Sequence, residues 1–303
     1  MDQFLASLSD IALPAAFAGI VAVLATVAVE RLGGTLGGVL SSIPTTIVPA
    51  AIGLSGGSLG GSMAAADVDD FRRAMAFVPI GILLNAGYLV LWRVIPARLG
   101  PRHRTHLLAA TTIGALGAWI VAAAAIMTLH ELAQPSLAHA LAAGILAFLA
   151  GITLGVAANR TAHPAPKGTR RVGAGVLVLR GVAAAGVIGG AILLKRSGLP
   201  VASGIAAVFP VIFTTIMIAT WLAQGAQVPT GSVGPMALGT LSVSAFALLA
   251  AWLFPIMPIA PATAIAWTLS IAFVSIPAYL FLRARRAAHR AASQGTNQGA
   301  RTA

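Results

Sequence analysis

Apolar residues recur along this chain in long blocks, not with the period of two expected of half-buried strands. A helix needs about 20 residues to cross a ~30 Å hydrocarbon core, and the blocks read against that length give nine spans. They fall at roughly 11–29, 36–54, 74–95, 106–128, 136–157, 173–194, 201–223, 233–254 and 260–282. The polar stretches between them are short. The longest internal ones are Ser55–Arg73, glycine-rich and then acidic at Asp67, Asp69 and Asp70, and Asn159–Val172, which holds two prolines and four basic residues. The second reads as a linker between two halves. From Arg283 onward the chain is basic, then small and polar, which predicts a disordered tail.

Two of the spans share a motif. Gly38-Val-Leu-Ser-Ser-Ile-Pro44 and Gly204-Ile-Ala-Ala-Val-Phe-Pro210 both read glycine, four residues, a large apolar residue, proline, at an offset of 166 (204 − 38). Each follows a charged pair, Glu30-Arg31 or Lys195-Arg196, and each is followed by Thr-Thr-Ile, at Thr45-Thr46 and Thr214-Thr215. Proline removes a backbone donor and crowds the carbonyl four residues back, so each motif predicts a broken helix. The motifs lie in spans two and seven. Copies five crossings apart face opposite ways, so spans one to four and six to nine form an inverted-topology repeat, with span five as the connector. The predicted fold class is an all-α polytopic membrane protein of about nine transmembrane helices in two inverted four-helix repeats. Residues 1–130 are then the first repeat, 131–171 the connector helix and linker, 172–282 the second repeat and 283–303 the tail.

Composition strengthens this reading. Of 303 residues, 58% are hydrophobic and 9% charged, with a mean hydropathy of +0.93; a soluble domain carries about 25% charge to cover its surface. The lipid bilayer is therefore the first expected partner. A net charge of +12 raises nucleic acid as a second, but Lys and Arg sit in short clusters between apolar runs, the pattern of topology signals. Fourteen lie in one set of alternating loops and the tail, and four (Arg72, Arg73, Lys195, Arg196) in the other set. The basic side is expected to be cytoplasmic, with the N-terminus outside and the C-terminus inside, in a bacterial inner membrane. Met1–Asp10 is acidic and lacks the basic start of a cleavable signal peptide.

The remaining Arg180 lies inside span six among Leu177, Val178, Leu179 and Val182. A guanidinium at a helix centre costs ~2.5 kcal/mol or more, so Arg180 faces a cavity, a partner or an anion, or snorkels to the nearby interface. Glu30 is the only acidic residue on the predicted cytoplasmic half. It is expected to pair with Arg180, relay protons, or sit as an interfacial charge beside Arg31. Ser41, Ser42, Pro44, Thr45 and Thr46 in the first copy, with Ser203, Pro210, Thr214 and Thr215 in the second, supply hydroxyls and freed backbone groups. These either repair the breaks or bind a polar solute. Gly34 and Gly38 have GxxxG spacing for close helix approach, and Asn85 is an isolated amide suited to interhelical bonding.

Other chemistries lack their residues. With no cysteine, thiol catalysis, disulfides and thiolate metal sites are excluded. The six histidines do not form a metal pattern, no serine has a matching His and Asp, and neither a P-loop nor a dinucleotide fingerprint occurs. No cofactor and no enzymatic activity are expected.

The segment Ser203-Gly-Ile-Ala-Ala-Val-Phe-Pro210, followed by two further apolar spans, resembles the small GlpM-type bacterial inner-membrane proteins. Each half of this chain would be one such unit, although the first half departs with Ile43 in place of the aromatic and an added Pro49. That family is linked with exopolysaccharide production, and the resemblance carries over no catalytic residue. The expected function is a secondary transporter or flippase-like carrier for an anionic or zwitterionic small solute, bound between the two broken segments. The competing expectation is a scaffold or accessory subunit of an envelope-polymer machine.

Overall fold

The computed structural model describes residues 11–24, 27, 44–56, 60–100, 104–160 and 173–288. Among these residues every regular element is helical. The order is α1 (Ile11–Leu24), α2 (Ile47–Ser55), α3 (Val68–Leu99), α4 (Arg104–Ala133), α5 (Leu137–Ala158) and α6 (Ala174–Arg196), then α7 (Pro200–Ala206), α8 (Val211–Gln224), α9 (Gln227–Gly239), α10 (Leu241–Leu253) and α11 (Ile259–Ser270). A short π-helical stretch, Ile271–Ser275, continues α11 into a helix that ends at Ala288. The pairs α7–α8 and α9–α10 each act as one length, so among the described residues seven helices are long and apolar enough to cross a membrane. They match spans three to nine. Spans one and two fall partly outside the described residues.

Two boundaries differ from the sequence expectation. Helix α3 begins at Val68, so Asp69 and Asp70 occupy its first turn rather than a loop, where carboxylates oppose the positive end of the helix dipole. At the other end of the chain, Arg283, Arg285 and Arg286 are helical, although the tail was expected to start there.

Helix α3 and the α9–α10 length form the centre, each about two-thirds buried along its apolar stretch, while α4 is the least buried of the seven long helices among the described residues. The two central helices run antiparallel. Phe71 stacks on Phe254 at 5.2 Å, and at the far end the Arg93 Nε donates to the Thr230 carbonyl at 2.8 Å. Helices α1 and α6 are antiparallel as well: Gly19 lies against Gly181 and Ala185, and Gly189 lies near Ala15 and Ile11. Ala185 is the residue that the offset of 166 assigns to Gly19.

Small residues set these distances. The buried positions of α5 are Ala140, Gly144, Ala147, Gly151 and Gly155, one stripe at helical spacing. A Cβ at Gly144 would lie 2.5 Å from the Ala76 carbonyl oxygen of α3, and one at Gly155 would lie 3.0 Å from Leu238 of α9. With lipid as apolar as leucine, helices associate by this close backbone contact, not by a hydrophobic drive.

The bundle has two distinguishable ends. At one, Lys195 pairs with Asp67 at 3.1 Å and the Arg73 Nη1 donates to the Pro135 carbonyl at 3.0 Å. At the other, the Arg93 Nη1 donates to the Ala158 carbonyl at 2.7 Å, tying α3 to the end of α5.

Candidate functional site: a broken helix inside the bundle

Between α7 and α8 the chain leaves the α-helical pattern at Ala207–Pro210. Pro210 has no amide hydrogen, so the Ala206 carbonyl loses its α-helical donor and accepts instead from the Phe209 amide at 3.0 Å. The Val208 amide likewise shifts to Ile205, and α8 restarts where the Thr214 amide reaches Pro210 at 2.9 Å. From Pro200 to Phe209 the helical rise is roughly 14 Å, close to half of a hydrocarbon core.

Two side chains repair the break and two more brace it. Asn85 of α3, 1% exposed, donates its Nδ2 to the Val208 carbonyl at 2.7 Å, a group that a continuous helix would satisfy with Ile212. Thr214 donates its hydroxyl to the Pro210 carbonyl at 2.7 Å. With that proton committed, the Tyr88 hydroxyl is the donor in its 2.9 Å contact with Thr214 Oγ1. The Arg180 Nε, from α6, donates to Thr215 Oγ1 at 3.2 Å, and Arg180 is 4% exposed. That burial excludes a side chain snorkelling to water.

Arg180, Pro210, Thr214 and Thr215, all nominated from sequence, thus meet at one place. Ser203 lies one to two turns away on α7, buried, its Oγ without a partner among the described residues. The adjacent Gly204 presses directly on the Ala74 carbonyl of α3, and Gly81 on Val208. Pro44 is buried and Thr45 and Thr46 half-buried just before α2, which packs on α6, α10 and α3. None of the hydrogen bonds described at the break involves them. Glu30, Ser41 and Ser42 lie outside the described residues, and with them the expected Glu30–Arg180 pair. Asn85 makes the interhelical bond expected of it, whereas Tyr88 was not nominated. Its one sequence signal is a spacing of three from Asn85, which puts both on one face of α3.

A cavity of about 1230 Å³ runs from the Lys195 end down to Phe209, between α4, α6 and α7. The expected space between the two proline-broken segments involves residues 36–43, which lie outside the described residues. None of the cavity's lining residues belongs to α2. The Trp119 ring meets Phe209 edge-on at 5.1 Å on the cavity floor. Beyond the break Tyr88, Trp92 and Trp221 are fully buried, their successive rings meeting edge to face at 6.3 and 6.0 Å. Among the described residues no His, Asp and Glu cluster could hold a metal ion.

Comparison with protein-family models, with curated proteins and with solved structures found no match. The class is therefore read from the fold itself, and seven long apolar helices fit a polytopic helical membrane protein.

Proposed function

We propose that the protein is a secondary carrier that moves an anionic or zwitterionic solute by alternating access around the α7–α8 break. The observation that carries this reading is the asymmetry about Phe209. On one side an open cavity reaches the break; on the other, Tyr88, Trp92 and Trp221 close it. A carrier held open to one side has this form, with the buried Arg180 and the N-terminal end of α8 favouring negative charge.

The paired contacts support the inverted repeat. Elements made equivalent by the repeat meet antiparallel, as α1 with α6 and α3 with α9–α10 do. Helix α4 packs on α3 as the last helix packs on α10. In this reading the basic end is cytoplasmic, the membrane is the bacterial inner membrane, and each half is one GlpM-like unit.

The chain lacks native cysteine, so single cysteines give clean accessibility. In right-side-out vesicles, a membrane-impermeant thiol reagent is expected to label Phe209→Cys from the Lys195 side. Thr214→Cys is expected to react from the basic side in a smaller fraction of molecules. If Thr214→Cys never reacts from the basic side, the bundle does not switch, and the scaffold reading replaces the carrier.

A further inference from the structure

The cavity above the break has a chemistry that the carrier reading leaves unused. Its walls are apolar along their length: Ile120, Ala123 and Met127 from α4 face Val187, Leu194 and Val201 from α6 and α7. Ile120, Leu193 and Leu199 on its borders are about half exposed, so the trough opens sideways to the hydrocarbon. Its polar groups are gathered at the Lys195 end, where Asp70, Arg73, His130 and Glu131 form the mouth. The His130 Nδ1 is buried there without a partner among the described residues, although its ring sits edge-on to Phe77 at 5.0 Å. Arg73 gives one of the five N–H donors of a guanidinium to Pro135.

We propose that this trough is a binding site for a single-chain zwitterionic amphiphile, its chain along α6 toward Phe209 and its headgroup at Arg73, His130, Asp70 and Glu131. A purely apolar ligand gains little by leaving bilayer for trough, since both surround it with hydrocarbon. Selection therefore falls on the mouth. One guanidinium beside two carboxylates complements a headgroup carrying both signs, where an anion alone would meet Asp70 and Glu131. The volume exceeds the 300–1,000 Å³ of ordinary small-molecule pockets, and the trough length of roughly 14 Å suits a chain better than a compact solute.

Two glycines give the test its lever. Gly186 and Gly190 line the trough, and a Cβ at either meets no atom within 4 Å. A side chain at either therefore starts in open space on the trough wall, and leucine is the variant chosen to fill it. The probe is a lysophosphocholine brominated along its chain, added to the full-length protein in detergent, with quenching of Trp119 fluorescence as the readout and Trp119→Phe as background. Saturable quenching is expected, weakened ~10-fold or more in Gly186→Leu and Gly190→Leu, a change of ~1.4 kcal/mol, with thermal unfolding no lower than that of the unsubstituted protein. Brominated fatty alcohol and fatty acid are expected to bind ~5-fold more weakly or worse, a preference of ~1 kcal/mol.

Quenching that does not saturate, or that is the same in both leucine variants, would overturn the site. Equal binding of the three headgroups would overturn the assignment to a zwitterion. The proposal supplies the carrier reading with a ligand class, and the two fail separately. Binding without side-switching at Thr214→Cys removes the carrier and keeps the site; switching without binding does the reverse.

Discussion

Asn85 shows why a single amide can govern a broken helix in an apolar bundle. The break frees the Val208 carbonyl where water is excluded, and an unpaired buried acceptor costs ~1–3 kcal/mol. The Asn85 Nδ2 supplies the missing donor. Asn85→Asp puts an acceptor against that carbonyl, so it is expected to cost ~1–3 kcal/mol in denaturant unfolding of the purified protein. Tyr88→Phe gives up one bond to Thr214 and leaves the Thr214–Pro210 bond intact, with an expected loss of ~0.5–1.5 kcal/mol. Arg180→Lys keeps the charge and loses the planar fork that reaches Thr215. It is expected to stay folded in the membrane but to transport more slowly once a substrate is in hand. Unchanged uptake in proteoliposomes would remove Arg180 from the site.

At the scale of elements, backbone approach decides stability. Gly144 of α5 and Gly204 of α7 each face a carbonyl oxygen of α3, at Ala76 and Ala74. A methyl group at either forces two backbones apart. Gly144→Ala and Gly204→Ala are each expected to destabilise by ~1–3 kcal/mol through overpacking. The control is Gly117→Ala in the middle of α4, where the added Cβ meets nothing within 4 Å. Alanine there is expected to be neutral or to stabilise by up to ~1 kcal/mol through helix propensity. Thermal unfolding of the three variants in one detergent compares them directly. Equal effects would mean that close approach does not hold α5 and α7 to α3.

For the whole molecule, the packing of α1 on α6 is the contact most open to a direct check. A Cβ on Gly189 would lie 3.7 Å from that of Ala15, within the 3.5–4.5 Å that a disulfide requires. Oxidised Ala15→Cys/Gly189→Cys is therefore expected to lose both free thiols, as read by alkylation and mass. Persistent thiols would place α1 elsewhere. Reporter fusions test the orientation: with the basic end in the cytoplasm, a C-terminal fusion is expected to report inside. An external C-terminus would reverse the assignment of sides and leave the helix pairing untouched.

What the sequence determined by itself was whatever depends on local physics. The length of a hydrocarbon core marks out spans three to nine, and the steric demand of Pro210 locates the break. The cost of a buried guanidinium marks Arg180 as a residue that the fold must accommodate. Tertiary structure alone decided which groups meet. Asn85 and Tyr88 lie more than 100 positions from Val208 and Thr214, and nothing local encodes that approach. The small stripe of α5 was equally hidden, because alanine and glycine contribute almost no hydrophobic periodicity, yet they set how closely backbones pack. The place of the trough, beside α4 and α6, was hidden for the same reason. A cavity is the space that packing leaves, and packing is a property of all the helices together.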